Sequence, residues 1–217
     1  MSSSDVFSGG EARIIDRGYR GYDGARTGTR GAVWALTRHS IARGLGLRRT
    51  IWAKALPVAA IAIAYIPAIV FVGVVALVPS KDISDFILPT YGQYYGYVIT
   101  AITLFVGLAA PEMLCTDRRT GMLGVYLAPP LNRDSYLLAK SLAVAFVLSL
   151  VCIGPTLLML IANILQSSGP DGFGDIVLTL ARVIGAGLVV TVLYTAVTVG
   201  LASLTNRKAI ASALIIL

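Results

Sequence analysis

Apolar residues fall into four long blocks and one short one, and the segments between them hold nearly all of the charge. No charged side chain occurs between Lys54 and Lys81, a gap of 26 residues. As a helix that gap is ~39 Å long against a hydrocarbon core of ~30 Å, so it spans with some tilt. The blocks predict spans at about 55–78, 95–115, 136–165 and 176–204. Pro57 lies near the start of the first, where proline is tolerated, and Pro67 in its interior, where a kink is expected. A fifth apolar stretch opens at Ala209 and runs to Leu217. Nine residues, ~14 Å of helix, cannot cross a bilayer, so it reads as a fifth span carried in incomplete form. The fold class is an all-α integral membrane protein, a polytopic helical bundle. The first block is too long, and too far into the chain, for a signal peptide.

Composition agrees with that class. Of 217 residues, 56% are hydrophobic and 13% charged, with a mean hydropathy of +0.79. That is about half the charged fraction of a soluble domain. The net charge of +7 would suit nucleic acid, but a soluble nucleic-acid binder does not carry such apolar blocks. Topology explains the charge instead. Ten Lys and Arg residues precede the first span, and the next connection has only Lys81, beside Asp82 and Asp85. Arg118, Arg119, Arg133 and Lys140 follow the second span, the connection 166–175 has none, and Arg207 and Lys208 follow the fourth. This alternation places the N-terminus in the cytoplasm. Tyr91, Tyr94, Tyr95 and Tyr97 then make an aromatic belt at the outer surface, with Trp52 at the inner one. Cys115 and Cys152 lie in apolar runs and read as small fillers, without a disulfide or metal framework.

Residues 1–30 are rich in Ser, Gly, Arg and Asp and predict a flexible cytoplasmic segment without a core. Over 31–54 the pattern changes. Trp34, Ile41, Leu45 and Trp52 recur at helical spacing, while Arg38, Arg43 and Arg49 occupy other faces. This predicts a basic amphipathic helix on the inner membrane surface, which Gly44 and Gly46 weaken and divide. It serves either as an anchor on anionic lipid or as an element that transmits motion from a cytoplasmic partner. The transmembrane domain occupies 55–217.

The loop from Asp117 to Lys140 reads DRRTGMLGVYLAPPLNRDSYLLAK. Its first part suits a short amphipathic helix, which Pro129 and Pro130 end. Asn132 and Asp134 offer caps for a helix starting near Tyr136. This segment resembles the cytoplasmic loop of permease subunits of ABC transporters of the ABC-2 (type V exporter) class. That pattern is an acidic residue and Arg, two residues, Gly, an apolar stretch, Pro, two residues, Arg and, seven further on, Lys. The chain matches it at Asp117, Arg118, Gly121, Leu123, Pro130, Arg133 and Lys140. Met122, Gly124 and Tyr126 stand where the family often has Thr, Glu and Leu, so a charge contact at position 124 does not carry over. The stretch 19–57 also resembles that of actinobacterial members.

The resemblance implies a bacterial plasma-membrane subunit of six spans that forms a homo- or heterodimer. It implies a separate ATP-hydrolysing subunit that binds ATP and Mg, with the loop, including Arg119 and Tyr126, docking into it to drive export. The chain has no phosphate-binding loop of its own, since its lysines follow Ala53, Ser80, Ala139 and Arg207 rather than glycine. Neither a zinc-type cluster nor a nucleophile elbow occurs, so no enzyme site is expected. Glu112 and Arg182 are the charges inside apolar runs, where a charge usually faces protein or water. Glu112 suits an interfacial carboxylate or a coupling group. Arg182 suits outward snorkelling toward Asp175 or an anionic group in the path. Ala181, Gly185, Ala196 and Gly200 form small-xxx-small pairs suited to close packing. Two other classes remain open: a carrier driven by an ion gradient through Glu112 or Arg182, and a membrane scaffold without transport.

Overall fold

A computed structural model of the chain describes residues 24, 27–47, 51–77, 89–127, 130–165, 172–205 and 207–216. The segment read as flexible, residues 1–30, lies outside the described residues except for its last few positions. The described residues form helices and no strands: α1 (Gly28–Gly44), α2 (Ile51–Leu77), α3 (Tyr91–Leu104), α4 (Ala110–Arg119), α5 (Leu123–Tyr126), α6 (Arg133–Leu165), α7 (Phe173–Ser203) and α8 (Lys208–Ile216). A π-helical turn, Phe105–Ala109, joins α3 to α4. Four stretches are long and apolar enough to cross a membrane: Lys54–Val74, Tyr91–Arg119, Arg133–Leu165 and Phe173–Ser203. Each of the last three starts a few residues before its apolar block, because polar first turns extend the helix beyond the run of hydrophobic side chains.

The long helix α6 is the hub, with α1, α2, α3 and α7 packed on it. Its neighbours approach closely because small residues line the contacts. Ala60, Ala64 and Ala68, one turn apart on α2, are fully buried. Tyr94 is buried as well and donates its hydroxyl to the Ala64 carbonyl. It therefore belongs to the core rather than to the expected aromatic belt. Tyr97 is half exposed and keeps the exposed position expected of a belt residue.

The π turn has a local cause. Pro111 has no N–H and its ring crowds the preceding turn, so the helix widens before it and the Ala110 N–H reaches back to the Phe105 carbonyl. The extra residue rotates the register by ~100°. As a result Met113 and Asp117 turn into the bundle, while Cys115 packs against Ala202 and Ala211. The short α8 rests on this turn, where a Cβ at Gly107 would stand 2.7 Å from Ile216. Pro67 does not end α2, which continues to Leu77.

The small-residue stripe on α7 differs from the one expected. Ala181, Gly185, Ala196 and Gly200 are exposed, and Gly187, Thr191, Thr195, Thr198 and Ala202 are the buried positions. Both stripes have helical spacing. The buried one is chosen by its partners: Gly187 admits Ile153 of α6 and the Tyr95 hydroxyl, the latter 3.2 Å from where a Cβ would stand.

Candidate functional site: a buried ion cluster beside the loop

Asp117 sits on the last turn of α4 with its side chain fully buried. Two cations meet it. Arg43 Nη1 of α1 lies 2.7 Å from Oδ1, and Lys140 Nζ of α6 lies 2.6 Å from Oδ2. The Tyr136 hydroxyl donates to Oδ2 at 3.1 Å, and Lys140 also donates to the Met113 carbonyl at 3.3 Å. The ammonium stands 5.7 Å from the centroid of the Tyr136 ring, a cation–π contact. A carboxylate removed from water costs several kcal/mol unless its oxygens are occupied, and here both are. The side chains of Lys140 and Asp117 are 2% and 0% exposed, against 19% for Arg43, so the Lys140 pair is the dry one.

Backbone geometry delivers these groups. The helix α1 ends in a Schellman motif, with Leu47 N–H on the Ala42 carbonyl at 2.9 Å and Gly46 N–H on the Arg43 carbonyl at 3.1 Å. Gly46, at φ +68°, takes the left-handed position, and the turn leaves Arg43 on the side facing α4. Gly44 has no side chain because Met113 occupies the space: an added Cβ would stand 2.4 Å from its sulfur. On the loop side α4 stops at Gly121, φ +70°, whose N–H bonds the Arg118 carbonyl. One turn of helix, α5, follows, and the chain returns through exposed Pro130 to α6. Pro129 lies outside the described residues. The start of α6 is capped by Ser135, whose hydroxyl accepts from the Asn132 N–H at 2.7 Å, rather than by the side chains of Asn132 or Asp134.

The loop residues divide by depth. Asp117, Lys140 and Leu131 are buried, Leu123 and Tyr126 half-buried, and Arg118, Arg119, Gly121, Met122, Pro130 and Arg133 exposed. Arg118 turns away from the cluster and donates to the Ser203 carbonyl at 2.7 Å, at the negative end of α7. Glu112 is half-buried and shares a small cleft with Arg43, Pro57 and Met113. Arg182 is exposed, and no ion pair among the described residues joins it to Asp175.

The helix α1 buries a different face from the expected one. Leu36, Thr37, Ser40 and Gly44 are buried, Ile41 and Leu45 are half-buried, and Trp34 is 68% exposed. The side chain of Trp52 lies outside the described residues. Apolar spacing favoured the bulky residues, but α1 crosses α6 closely enough for the Thr37 hydroxyl to reach the Ala139 carbonyl at 3.2 Å. Thr37 fits this crossing, and Leu36 beside it packs with Leu131 and Ala139. Tyr136 and Thr37 are the site residues that sequence reasoning passed over; a Tyr four residues before a Lys, on the helical face of that Lys, is the signal for the first.

On the open side of the cluster, α1 and the loop enclose a groove of about 780 Å³ lined by Trp34, Arg38, Ala42, Thr120, Met122 and Tyr126, among others. The chain is thus a multi-pass helical membrane protein in which a buried ion cluster fixes a loop and the N-terminal helix α1 to the bundle. No protein-family model matches the chain, and no curated protein matches it.

Proposed function

We propose that the chain is a transmembrane permease subunit of an ATP-driven transporter of the ABC-2 type, working as an exporter with a separate nucleotide-binding subunit. One observation carries this reading. Asp117 and Lys140, the first and last residues of the family-like loop pattern, form an ion pair, and the same carboxylate holds Arg43 of the N-terminal helix. A force applied to the loop therefore reaches α1, α4 and α6 together. The groove between α1 and the loop offers Trp34 and Met122 as exposed apolar anchors beside Arg38. Such an edge suits docking of a soluble subunit.

In this reading the N-terminus and the loop face the cytoplasm of a bacterial cell, and α1 lies along the inner surface of the plasma membrane. ATP and Mg stay on the partner, and α8 opens a fifth span of a six-span fold. Exposed Ala181, Gly185, Ala196 and Gly200 suit a further helix or a second permease subunit, identical or not. The test is co-purification with a co-expressed ATP-hydrolysing subunit of the ABC type. Met122→Asp and Trp34→Ala, both at exposed positions, are expected to reduce recovery of the ATPase at least about tenfold, the effect of losing one interface anchor. Undiminished recovery with both variants sinks the docking role of this groove.

A further inference from the structure

A second slot lies on another flank of Trp34, between the first turns of α1 and the side of α6. Val33, Trp34, Leu138 and Leu142 form its apolar walls, Arg30 stands beside it, and its volume is about 310 Å³. Leu138 and Leu142 are one turn apart on a membrane-spanning helix and are 53% and 48% exposed, so the slot opens toward hydrocarbon. An extended peptide in that position would leave backbone polar groups without partners, whereas an acyl chain has none to satisfy. Among the described residues that line the slot the charged side chain is Arg30, while exposed Asp134, one turn before Leu138 on α6, lies outside its lining. The first turn of α1 has no acidic residue, and the positive end of its dipole lies at Arg30.

We propose that this slot is a binding site for an anionic glycerophospholipid of the adjacent leaflet, with one acyl chain between Val33, Leu138 and Leu142 and the phosphate on Arg30. Trp34, whose amphipathic ring suits the headgroup level, closes the slot from the side. The lipid then wedges α1 against α6 and holds the surface helix at a set depth. This inference rests on the packing of α1 against the membrane-spanning helix α6 and stands whether or not the chain belongs to an ATP-driven transporter.

The chain has two tryptophans, Trp34 and Trp52, which makes the site readable by fluorescence. The full-length Trp52→Phe variant is placed in phosphatidylcholine vesicles with a minor share of phosphatidylglycerol, and one lipid or the other carries brominated acyl chains. Brominated phosphatidylglycerol is expected to quench Trp34 about two- to fivefold more than brominated phosphatidylcholine at equal mole fraction, the enrichment one arginine gives near anionic lipid. Arg30→Gln brings that ratio to one, Arg30→Lys keeps it, and soluble glycerol phosphate leaves it unchanged. Equal quenching by both lipids, a ratio that survives Arg30→Gln, or its loss to glycerol phosphate overturns the proposal. Should Trp52→Phe not fold, the difference between the wild-type chain and Trp34→Phe in the same vesicles gives the same reading.

Discussion

Asp117 and Lys140, 23 residues apart in sequence, close the loop between the second and third spans through an ion pair of 2.6 Å that water does not reach. A loop closed this way moves with the spans at both of its ends. Arg43 on the other carboxylate oxygen adds the helix α1 to the same unit.

Asp117→Asn leaves Lys140 buried without its counter-ion, and the loss is expected to be about 3–5 kcal/mol. Lys140→Met is expected to cost less, because Asp117 keeps Arg43 and the Tyr136 hydroxyl. The double variant should be more stable than the sum of the two predicts. Thermal unfolding of the purified chain in detergent checks all three; strict additivity would mean that the pair is not coupled.

Two arginines near the loop should behave differently. Arg43→Ala removes a largely buried charge-assisted bond and is expected to cost about 1.5–3 kcal/mol. Arg118→Ala removes an exposed bond to the end of α7, worth up to about 1 kcal/mol. The same unfolding measurement ranks them, and a larger loss at Arg118 contradicts the depth assigned to the cluster.

The two glycines that shape the site fail by different routes. Gly121→Ala meets no atom within 4 Å but must hold φ +70°, so it costs about 1–2 kcal/mol and Gly121→Asn less. Gly44→Ala keeps a helical backbone and collides with Met113, an overpacking loss of about 1–3 kcal/mol. Adding Met113→Ala should relieve the second defect and not the first.

Sidedness can be read by cysteine labelling, since Cys115 and Cys152 are buried. Thr120→Cys and Phe173→Cys place reactive thiols at exposed positions at opposite ends of the membrane-spanning helices. In intact cells a membrane-impermeant maleimide is expected to label position 173 and to reach position 120 only after lysis. Labelling of both from outside would refute a four-span arrangement with the basic loop inside.

Much of the architecture was legible in the sequence because a bilayer demands it. Apolar blocks of 20 residues or more specify spanning helices whatever surrounds them, and all four occur near the expected boundaries. Gly121, Gly46 and Pro111 act through their own backbone limits, so their local effects also follow from residue identity. The chain's charge balance and the loop pattern from Asp117 to Lys140 were equally visible there.

What only the tertiary structure decided is which of several equivalent patterns is used. Two small-residue stripes on α7 have the same spacing, and contact with Ile153 and Tyr95 buries one of them. The helix α1 offers both a bulky stripe and a small one; the close crossing with α6 selects Thr37, and Met113 of α4 selects Gly44. The union of Asp117 with Arg43 and Lys140 has the same origin. Sequence separation carries no record of it, because three helices must first pack before those charges share one dry space.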